Sequence, residues 1–323
     1  MYFNKKNSFF HGIMFHHFYD NNLHLQGQGA ISKDQFYRII KFIGIKNILN
    51  ADLFYEKFKS NKLKNNEVCI TFDDAIKCQI DVALPVLEDL RIKSFFFVYS
   101  SIFEGKPNLL EIYRYFRLNF FNTVDEFYNQ FYLILNQDLE KFFKQNEISI
   151  NTIKAKRPFY SIEDIKFRLV RNMFLDKDEY EKIMEKLFFK KNFEPSKYFK
   201  KLFFNKKDLI NLERLGHIIG LHSHTHPTHL EKLSKDKQNL EYSKCIEILS
   251  NILNKPKNEI IYMSHPCGSY NNETLKILND MGIKLGFKQV MDIEIEKGMK
   301  KVNNSNLEIA REDHANILRR LKE

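Results

Sequence analysis

The spacing of apolar residues predicts both strands and helices in the first hundred residues. A helix is predicted to begin after Ser32, because Gln35 three positions later completes a capping box ahead of apolar residues at helical spacing. EVCITFDDA (67–75) is a β-rich run that ends in acids, CQIDVALPVLEDLRI (78–92) has helical spacing, and KSFFFVYSS (93–101) is a second apolar run. A strand, a helix and a strand at these intervals indicate a parallel βαβ unit.

The middle of the chain has a different character. Residues 105–205 carry amphipathic helical patterns rich in large apolar side chains and little strand signal, which predicts an α-helical insertion rather than a linker. We expect this insertion to form a lid, a wall for the substrate or an oligomer contact. Residues 1–104 and 206–323 are predicted to form one α/β domain around it, because strand and loop patterns resume near residue 216. The later predicted elements are a strand and loop in 216–227, a helix in 236–253, a strand and turn in 258–271, a helix closed by Gly282, and strands in 283–290 and 306–313.

The composition allows a substantial core and narrows the functional classes. Hydrophobic residues make up 43% of the 323 positions. The formal charge of +10 would suit an anionic partner, but the lysines are scattered and no DNA- or RNA-binding motif accompanies them, so nucleic acid is not an expected partner. No run approaches the roughly 20 apolar residues of a membrane span. Cys69, Cys78, Cys245 and Cys267 form no CxxC pair and the N-terminus lacks the apolar core of a signal peptide, so we expect a cytoplasmic protein with free thiols.

Two clusters of chemically active residues follow predicted strands. TFDDA carries the adjacent carboxylates Asp73 and Asp74, and GLHSHTHPTHL follows about 150 residues later. Ligands bind at the carboxyl ends of strands in parallel sheets and α/β barrels, so the two loops could converge. The two acids could divide labour between binding a metal and moving a proton, or could simply form an N-cap or turn pair.

The histidine-rich loop offers several pairs of metal ligands. His222 and His226 are four residues apart, His222 and His224 two apart, and His226 and His229 three apart. Imidazole and carboxylate together are a usual ligand set for Zn²⁺ or a similar divalent ion. The spacing does not choose among these pairs, and a surface loop that binds metal adventitiously remains an alternative.

Taken together, these motifs resemble the polysaccharide deacetylase family, also known as carbohydrate esterase family 4 or the NodB-homology domain. The family's T-F-D-D signature is matched at 71–74, and its H-[ST]-x-x-H motif at 222–226. A third motif, ending P-x-G-x-Y, is matched by SHPCGSY at 264–270, and the first strand, GIMFHHF at 12–18, is also similar. The resemblance implies a distorted (β/α) barrel that here carries an α-helical insertion.

The resemblance also implies roles for individual residues. Asp73 would be the catalytic base, and Asp74, His222 and His226 would hold a divalent metal, which we expect to be Zn²⁺. The backbone N–H of Cys267 would stabilise the oxyanion.

Three features depart from the family pattern, and one is that the chain has no tryptophan to pack near the catalytic pocket. Ser264 stands where many members carry an arginine that positions the catalytic aspartate, so the orientation of Asp73 is an open question. The motif that carries the general acid is also altered. His314 is the first candidate for that acid, and His16, His17 and His265 are the others. His16, His17 and Arg311 are further predicted to contact the substrate or the oxyanion.

The resemblance implies a metal-dependent hydrolase that removes an N-acetyl group from an amino sugar. The expected substrate is an N-acetylated sugar, nucleotide sugar or glycolipid of surface-glycan biosynthesis, and a homo-oligomer is possible. The alternatives are a deformylase or other amide hydrolase with the same site, and a non-catalytic glycan-binding relative.

Overall fold

The structure is a computed structural model that describes residues 2–4, 7–156, 160–291, 294–296, 299–301 and 303–321. The chain divides into two compact units. The barrel unit comprises Met1–Asp20, Ile31–Asn108 and Lys200–Glu323, and the helical unit comprises Asn21–Ala30 and Leu109–Phe199. The predicted insertion spanned residues 105–205, and the short segment 21–30 had not been singled out from the sequence.

Eleven strands and fourteen α-helices are defined among the described residues. The strands are β1 His11–Phe15, β2 Phe18–Tyr19, β3 Ile31–Ser32, β4 Val68–Phe72, β5 Phe95–Val98, β6 Ile218–Leu221, β7 Tyr262–Ser264, β8 Leu285–Phe287, β9 Glu294–Glu296, β10 Met299–Lys301 and β11 Arg311–Asp313. The helices are α1 Lys33–Ile43, α2 Ala51–Lys59, α3 Leu84–Asp89, α4 Leu109–Asn119, α5 Val124–Leu135, α6 Glu140–Gln145, α7 Glu147–Lys156, α8 Ile162–Leu169, α9 Lys177–Lys190, α10 Phe199–Leu202, α11 Lys206–Arg214, α12 Lys235–Leu253, α13 Asn272–Asp280 and α14 His314–Arg320.

Seven parallel strands form the sheet of the barrel unit, in the order β11-β1-β4-β5-β6-β7-β8. A parallel bridge between Phe287 and Ile309 joins the far edge to the segment that leads into β11, so the sheet nearly closes on itself. The predicted (β/α) barrel is confirmed. The predicted βαβ unit is also confirmed, because β4 and β5 are parallel neighbours in sequence order with α3 between them.

Side chains along the strands alternate between two apolar layers. Val68, Ile70 and Phe72 of β4 pack in the layer beneath the helices, whereas Cys69 of the same strand joins a separate cluster with Phe95. This second cluster is the interior of the barrel, since it gathers alternate residues from strands that are not neighbours. On β4 the inward-facing positions are Cys69 and Thr71. Asp73 is the next position in this alternation, so it points into the carboxyl end of the barrel interior.

Two strand glycines allow backbone and side chains to approach closely. A Cβ on Gly12 of β1 would lie 3.0 Å from Cγ of Arg311. A Cβ on Gly286 of β8 would lie 2.8 Å from the backbone of Leu307, where the sheet closes. The first glycine leaves space inside the barrel for a long side chain, and the second permits the closing contact.

Helix boundaries in the barrel unit follow the local sequence. Ser32 caps α1, and Gln35 completes the predicted capping box. The apolar face of α1 then buries Phe36, Ile39 and Ile40. Within the described part of the chain, no helix has both the length and the apolar composition that crossing a membrane requires.

The helical unit has an aromatic core of its own. Phe116 of α4 packs against Phe188 of α9 at 4.7 Å between ring centroids, and Phe131 of α5 packs against Phe167 of α8 at 5.0 Å. Thr123, Ser161 and Asp176 cap α5, α8 and α9 respectively. The many phenylalanines between residues 109 and 199 therefore act chiefly as core residues.

Candidate active site

Asp73 lies at the carboxyl end of β4, inside the barrel, and is held by a buried arginine. Nη1 and Nη2 of Arg311 donate to Oδ1 and Oδ2 of Asp73, both at 2.7 Å. Oγ of Ser264 donates to Oδ1 at 3.1 Å. Asp73 is 2% exposed and Arg311 is 1% exposed, so this bidentate pair is shielded from solvent.

Arg311 reaches Asp73 from the edge strand β11, which is separated from β4 by β1 alone. Its Nε donates to the carbonyl of Lys288 at 2.9 Å, and Nη1 also lies 3.3 Å from Oγ1 of Thr71. The space over Gly12 accommodates the side chain. The sequence predicted a contact between Arg311 and the substrate or oxyanion. The structure instead directs the buried guanidinium group to Asp73, where it supplies the positioning contact that was in question at Ser264.

The Arg311 charge keeps Asp73 ionised in spite of burial. Burial alone would raise the pKa of the Asp73 carboxyl, but the charges of Arg311 and His222 and the hydrogen bonds from Arg311 lower it below its ordinary value. Asp73 is therefore a carboxylate at neutral pH, as a general base must be.

Asp74, His222 and His226 bring three metal-ligating atoms together. Oδ1 of Asp74 lies 3.2 Å from Nε2 of His222 and 3.1 Å from Nε2 of His226. One ligand atom from each residue lies within 4.8 Å of the other two. No donor among the described residues forms a hydrogen bond of normal geometry with the buried Oδ1. The three groups therefore fit a divalent ion, since their atoms converge on a common space and imidazole and carboxylate are its usual ligands.

An unusual backbone places Asp74 beside the histidines. Asp74 and Ala75 have φ angles of 76° and 52°, and Ser223 and His226 have φ angles of 65° and 56°. Non-glycine residues seldom adopt this left-handed conformation, and such strain is characteristic of functional sites. Because the chain turns at Asp74, two adjacent carboxylates face the same space, whereas an extended strand would have pointed them apart.

Ser264 links Asp73 to His222. Its hydroxyl donates to Asp73, so its oxygen can accept from Nδ1 of His222 at 2.7 Å, and its carbonyl lies 3.0 Å from the same nitrogen. With the proton on Nδ1, the lone pair of His222 is on Nε2 and points toward Asp74. Burial would raise the pKa of Asp74, but the charge of His226 and the close approach of both imidazole rings hold it well below its ordinary value.

Glu241 of α12 fixes the loop that carries the two histidines. Its Oε2 accepts from the backbone N–H groups of His224 at 2.9 Å and Thr225 at 2.7 Å. Its Oε1 accepts from Oγ1 of Thr225 at 2.6 Å. Sequence reasoning missed this residue, because a glutamate on an amphipathic helix carries no local sign of such a contact.

The other two histidines of the loop point to different surroundings. Nδ1 of His224 lies 2.8 Å from Oγ of Ser100, and its Nε2 lies 3.5 Å from Glu104. His229 is largely exposed, and its Nδ1 lies 3.3 Å from Glu231. The pairing that spacing left open is therefore His222 with His226 in the structure.

His16 is the general-acid candidate that lies at the carboxylates. Its Nε2 is 3.9 Å from Oδ2 of Asp73 and 4.0 Å from Oδ2 of Asp74, and 21% of its side chain is exposed. His314 begins α14, where its buried ring stacks on Phe15 and its Nδ1 lies 3.2 Å from the carbonyl of Met14. The structure thus places His16, and not the ring of His314, beside the two carboxylates.

The remaining predicted residues surround this centre. His17 stacks beside His16, with ring centroids 6.3 Å apart. His265 is buried against Tyr270, and burial lowers its pKa to about 3. Cys267 lies exposed in the turn after β7, with a φ angle of 52°. This turn brings backbone to the carboxyl end of the barrel, where an oxyanion contact was predicted.

Comparisons with known proteins agree with these observations. The family model for polysaccharide deacetylase matches residues 183–286. No curated protein sequence matches the chain. Of the solved structures, the deacetylase PplD from Streptococcus pyogenes in complex with acetate is 16% identical, with a TM-score of 0.55 over 94% of this chain and 90% of that chain.

Two further structures are similar over nearly the whole chain. IcaB from Ammonifex degensii is 12% identical, with a TM-score of 0.53 over 95% of this chain and 91% of that chain. A de-N-acetylase from Aggregatibacter actinomycetemcomitans is 13% identical, with a TM-score of 0.52 over 94% of this chain and 93% of that chain. At identities this low, the structural similarity establishes a shared fold and nothing further. The resemblance to the polysaccharide deacetylase family is thus confirmed, by the family match over residues 183–286 and by a fold shared across more than nine-tenths of the chain.

Proposed function

We propose that the protein is a metal-dependent hydrolase that removes the N-acetyl group from an amino sugar. The observation that carries the proposal is the convergence of Asp74, His222 and His226 beside Asp73, whose carboxylate is held by Arg311. Support for the substrate class comes from the polysaccharide deacetylase match and from the deacetylases that share the fold.

The residues of the site divide the reaction between them. A divalent ion held by Asp74, His222 and His226, for which Zn²⁺ is our proposal, would supply Lewis-acid activation of the acetyl carbonyl and of water. Asp73 accepts a proton from the attacking water as the C–O bond forms. His16 gives a proton to the sugar nitrogen as the C–N bond breaks, which yields acetate and a free amine. Cys267 N–H is our proposed oxyanion donor.

For the physiological substrate we propose a class of compounds and not a single compound. An N-acetylated sugar, nucleotide sugar or glycolipid of surface-glycan biosynthesis fits the family match, and a cytoplasmic location and a homo-oligomer remain predictions. A role for the helical unit in substrate choice is likewise a proposal.

Acetate release tests this function. The purified protein, loaded with Zn²⁺, is incubated with N-acetylglucosamine oligomers, UDP-N-acetylglucosamine and an N-acetylglucosamine glycolipid, with the N-formyl analogues in parallel. We expect acetate from at least one acetylated substrate, and a loss of about 10²–10⁴-fold in kcat for Asp73→Asn. Faster release of formate would indicate a deformylase. Absence of hydrolysis with metal bound would favour a glycan-binding protein.

A further inference from the structure

Two arginines contact one buried carboxylate in the helical unit, and a third arginine lies close to that carboxylate in sequence. Asp164 and Arg168 belong to α8, Arg171 lies in the helical turn that continues it, and Arg117 comes from α4. Positions 164, 168 and 171 share one face of a helix, because they are spaced by four and three residues. We call these four residues the arginine cluster.

Both carboxylate oxygens of Asp164 already have partners within the helical unit. Its Oδ2 accepts from Nε of Arg168 at 2.5 Å, and its Oδ1 accepts from the hydroxyl of Tyr128 at 2.9 Å. Nη1 of Arg117 lies 3.5 Å from the same Oδ1, which is a long contact. Asp164 is 2% exposed, so its charge acts mainly on these close neighbours.

The arginine cluster therefore carries an excess of positive charge. Within the described residues, Asp164 is the only carboxylate that forms an ion pair with any of its three arginines. The nearby Glu163 pairs with Lys166 instead, at 3.0 Å. Nε of Arg171 donates to the neutral side-chain oxygen of Asn172 at 2.8 Å. Two of the guanidinium groups share the carboxylate of Asp164 and the third has no ion pair with a described carboxylate, so the four residues together carry a net charge of about +2.

The pKa values of Arg168 and Arg171 are shifted in opposite directions. Burial lowers the pKa of Arg168, but Tyr160 and Asp164 raise it above its ordinary value overall. Burial lowers the pKa of Arg171, the neighbouring Tyr180 raises it, and the charges of Arg168 and Arg117 lower it, so the net direction is downward. Arg171 thus has a tyrosine beside it where Arg168 has the paired carboxylate of Asp164.

Aromatic rings hold the guanidinium groups without neutralising them. Arg117 lies over Phe167 at 5.1 Å and over Phe127 at 5.7 Å, and Arg168 lies over Tyr160 at 4.1 Å. The side chains of Arg117 and Arg168 are 12% and 30% exposed, so a solute can reach the arginine cluster from solvent. Stacked, oriented guanidinium groups are suited to bidentate recognition of an oxyanion.

We propose that the arginine cluster is a binding site for a phosphate group, in which Arg117, Arg168 and Arg171 contact its oxygens. A phosphate dianion matches the excess charge better than a single carboxylate does. The site goes beyond the proposed hydrolysis and does not depend on it. The group could be free phosphate or part of a phosphorylated sugar or lipid, which share this chemistry.

Binding is tested on the whole chain with three probes. These are inorganic phosphate, N-acetylglucosamine 1-phosphate, and phosphatidylcholine vesicles with and without phosphatidic acid, each at matched ionic strength against sodium chloride. For saturating soluble phosphate we expect a rise in Tm of a few degrees, roughly 2–6 °C. The probe that binds best identifies the source of the phosphate group.

Variants decide whether the arginine cluster is the site. Arg171→Gln is expected to weaken binding at least about tenfold and to abolish the Tm rise, while it leaves the Tm without phosphate equal or higher. Arg214→Gln removes an exposed arginine on α11 and should leave binding unchanged. The proposal is overturned if no probe binds, if Arg171→Gln binds like the wild type, or if this variant lowers Tm equally with and without phosphate.

Discussion

At the scale of single residues, the site depends on an ion pair between distant parts of the chain. Asp73 and Arg311 are 238 positions apart, and both are almost fully buried. Each charge offsets the cost of burying the other inside the barrel, since an unpaired buried charge costs several kcal/mol. Ser264 adds a hydrogen bond to the same carboxylate and orients His222. The pair thus connects the stability of the barrel to the orientation of Asp73, the proposed base.

Arg311→Gln is expected to damage both stability and activity. The buried Asp73 carboxylate would lose its counter-charge, so the free energy of unfolding should fall by about 3–5 kcal/mol. The base would also lose its orientation, so kcat should fall while KM changes little. Urea unfolding and acetate release measure the two effects.

A double mutant separates this pairing from a general packing role for Arg311. Asp73→Asn with Arg311→Gln removes both charges, so its stability loss should be smaller than the sum of the two single losses. Arg311→Lys keeps the charge but loses the bidentate geometry, and should lie between the wild type and Arg311→Gln. Strictly additive losses would contradict the pairing.

The motif resemblance pointed to four residues that the structure brings close together, namely Asp73, Asp74, His222 and His226. Spacing alone could not pair the histidines, because the backbone turns at Asp74, Ser223 and His226 are not encoded by periodicity. The contact between Arg311 and Asp73 was not predicted, although one signal existed. Arg311 lies two residues after Ile309, which faces the barrel interior, so Arg311 is also at an inward position, and a charge there requires a buried partner.

At the scale of secondary-structure elements, helix α12 supports the loop that carries His222 and His226. Glu241 accepts two backbone hydrogen bonds and one hydroxyl hydrogen bond from residues between the two histidine ligands. These contacts offset the strain of the positive φ angles at Ser223 and His226. The loop is therefore shaped before any ion binds.

Glu241→Gln tests this support. The amide would replace one acceptor oxygen with a donor that faces backbone N–H groups, so Zn²⁺ affinity should fall about 10–100-fold. Glu247→Gln, at an exposed position on the same helix, is the matched control and should bind Zn²⁺ like the wild type. Equal affinities for the two variants, measured by calorimetry, would show that Glu241 does not shape the site.

Most elements of the barrel unit could be predicted from periodicity and capping residues. The capping box at Ser32 and the parallel pairing of β4 with β5 are examples. Closure of the sheet could not be predicted from periodicity, because it depends on packing across Gly12 and Gly286. A glycine in a short strand indicates a close approach but does not identify the neighbour.

At the scale of the whole molecule, buried neutral histidines make the barrel unit sensitive to acid. Burial lowers the pKa of His217 to about 4 and that of His265 to about 3, from an ordinary value of 6.5. Nδ1 of His217 accepts from the N–H of Ser94, and Nε2 of His265 donates to the carbonyl of Leu307. Both rings are therefore neutral in the folded protein.

Stability is expected to fall as the pH drops below about 6.5. The unfolded chain takes up protons at these histidines while the folded chain does not, so each one costs about 1.4 kcal/mol per pH unit until its folded pKa is reached. Between pH 7.5 and 5.0, urea unfolding of His217→Gln should therefore show a loss about 2 kcal/mol smaller than the wild type shows. His229→Gln, at an exposed position, should match the wild type; an unchanged loss in His217→Gln would contradict a buried neutral ring.

The central claim, that Asp74, His222 and His226 form the metal centre of a hydrolase, is tested most directly by metal titration. Zn²⁺ is titrated calorimetrically into chelator-treated wild type, Asp74→Ala and His229→Ala. We predict one high-affinity site in the wild type and in His229→Ala, and its loss in Asp74→Ala with the fold intact by circular dichroism. Absence of stoichiometric binding in the wild type, or equal binding in all three proteins, would contradict the account.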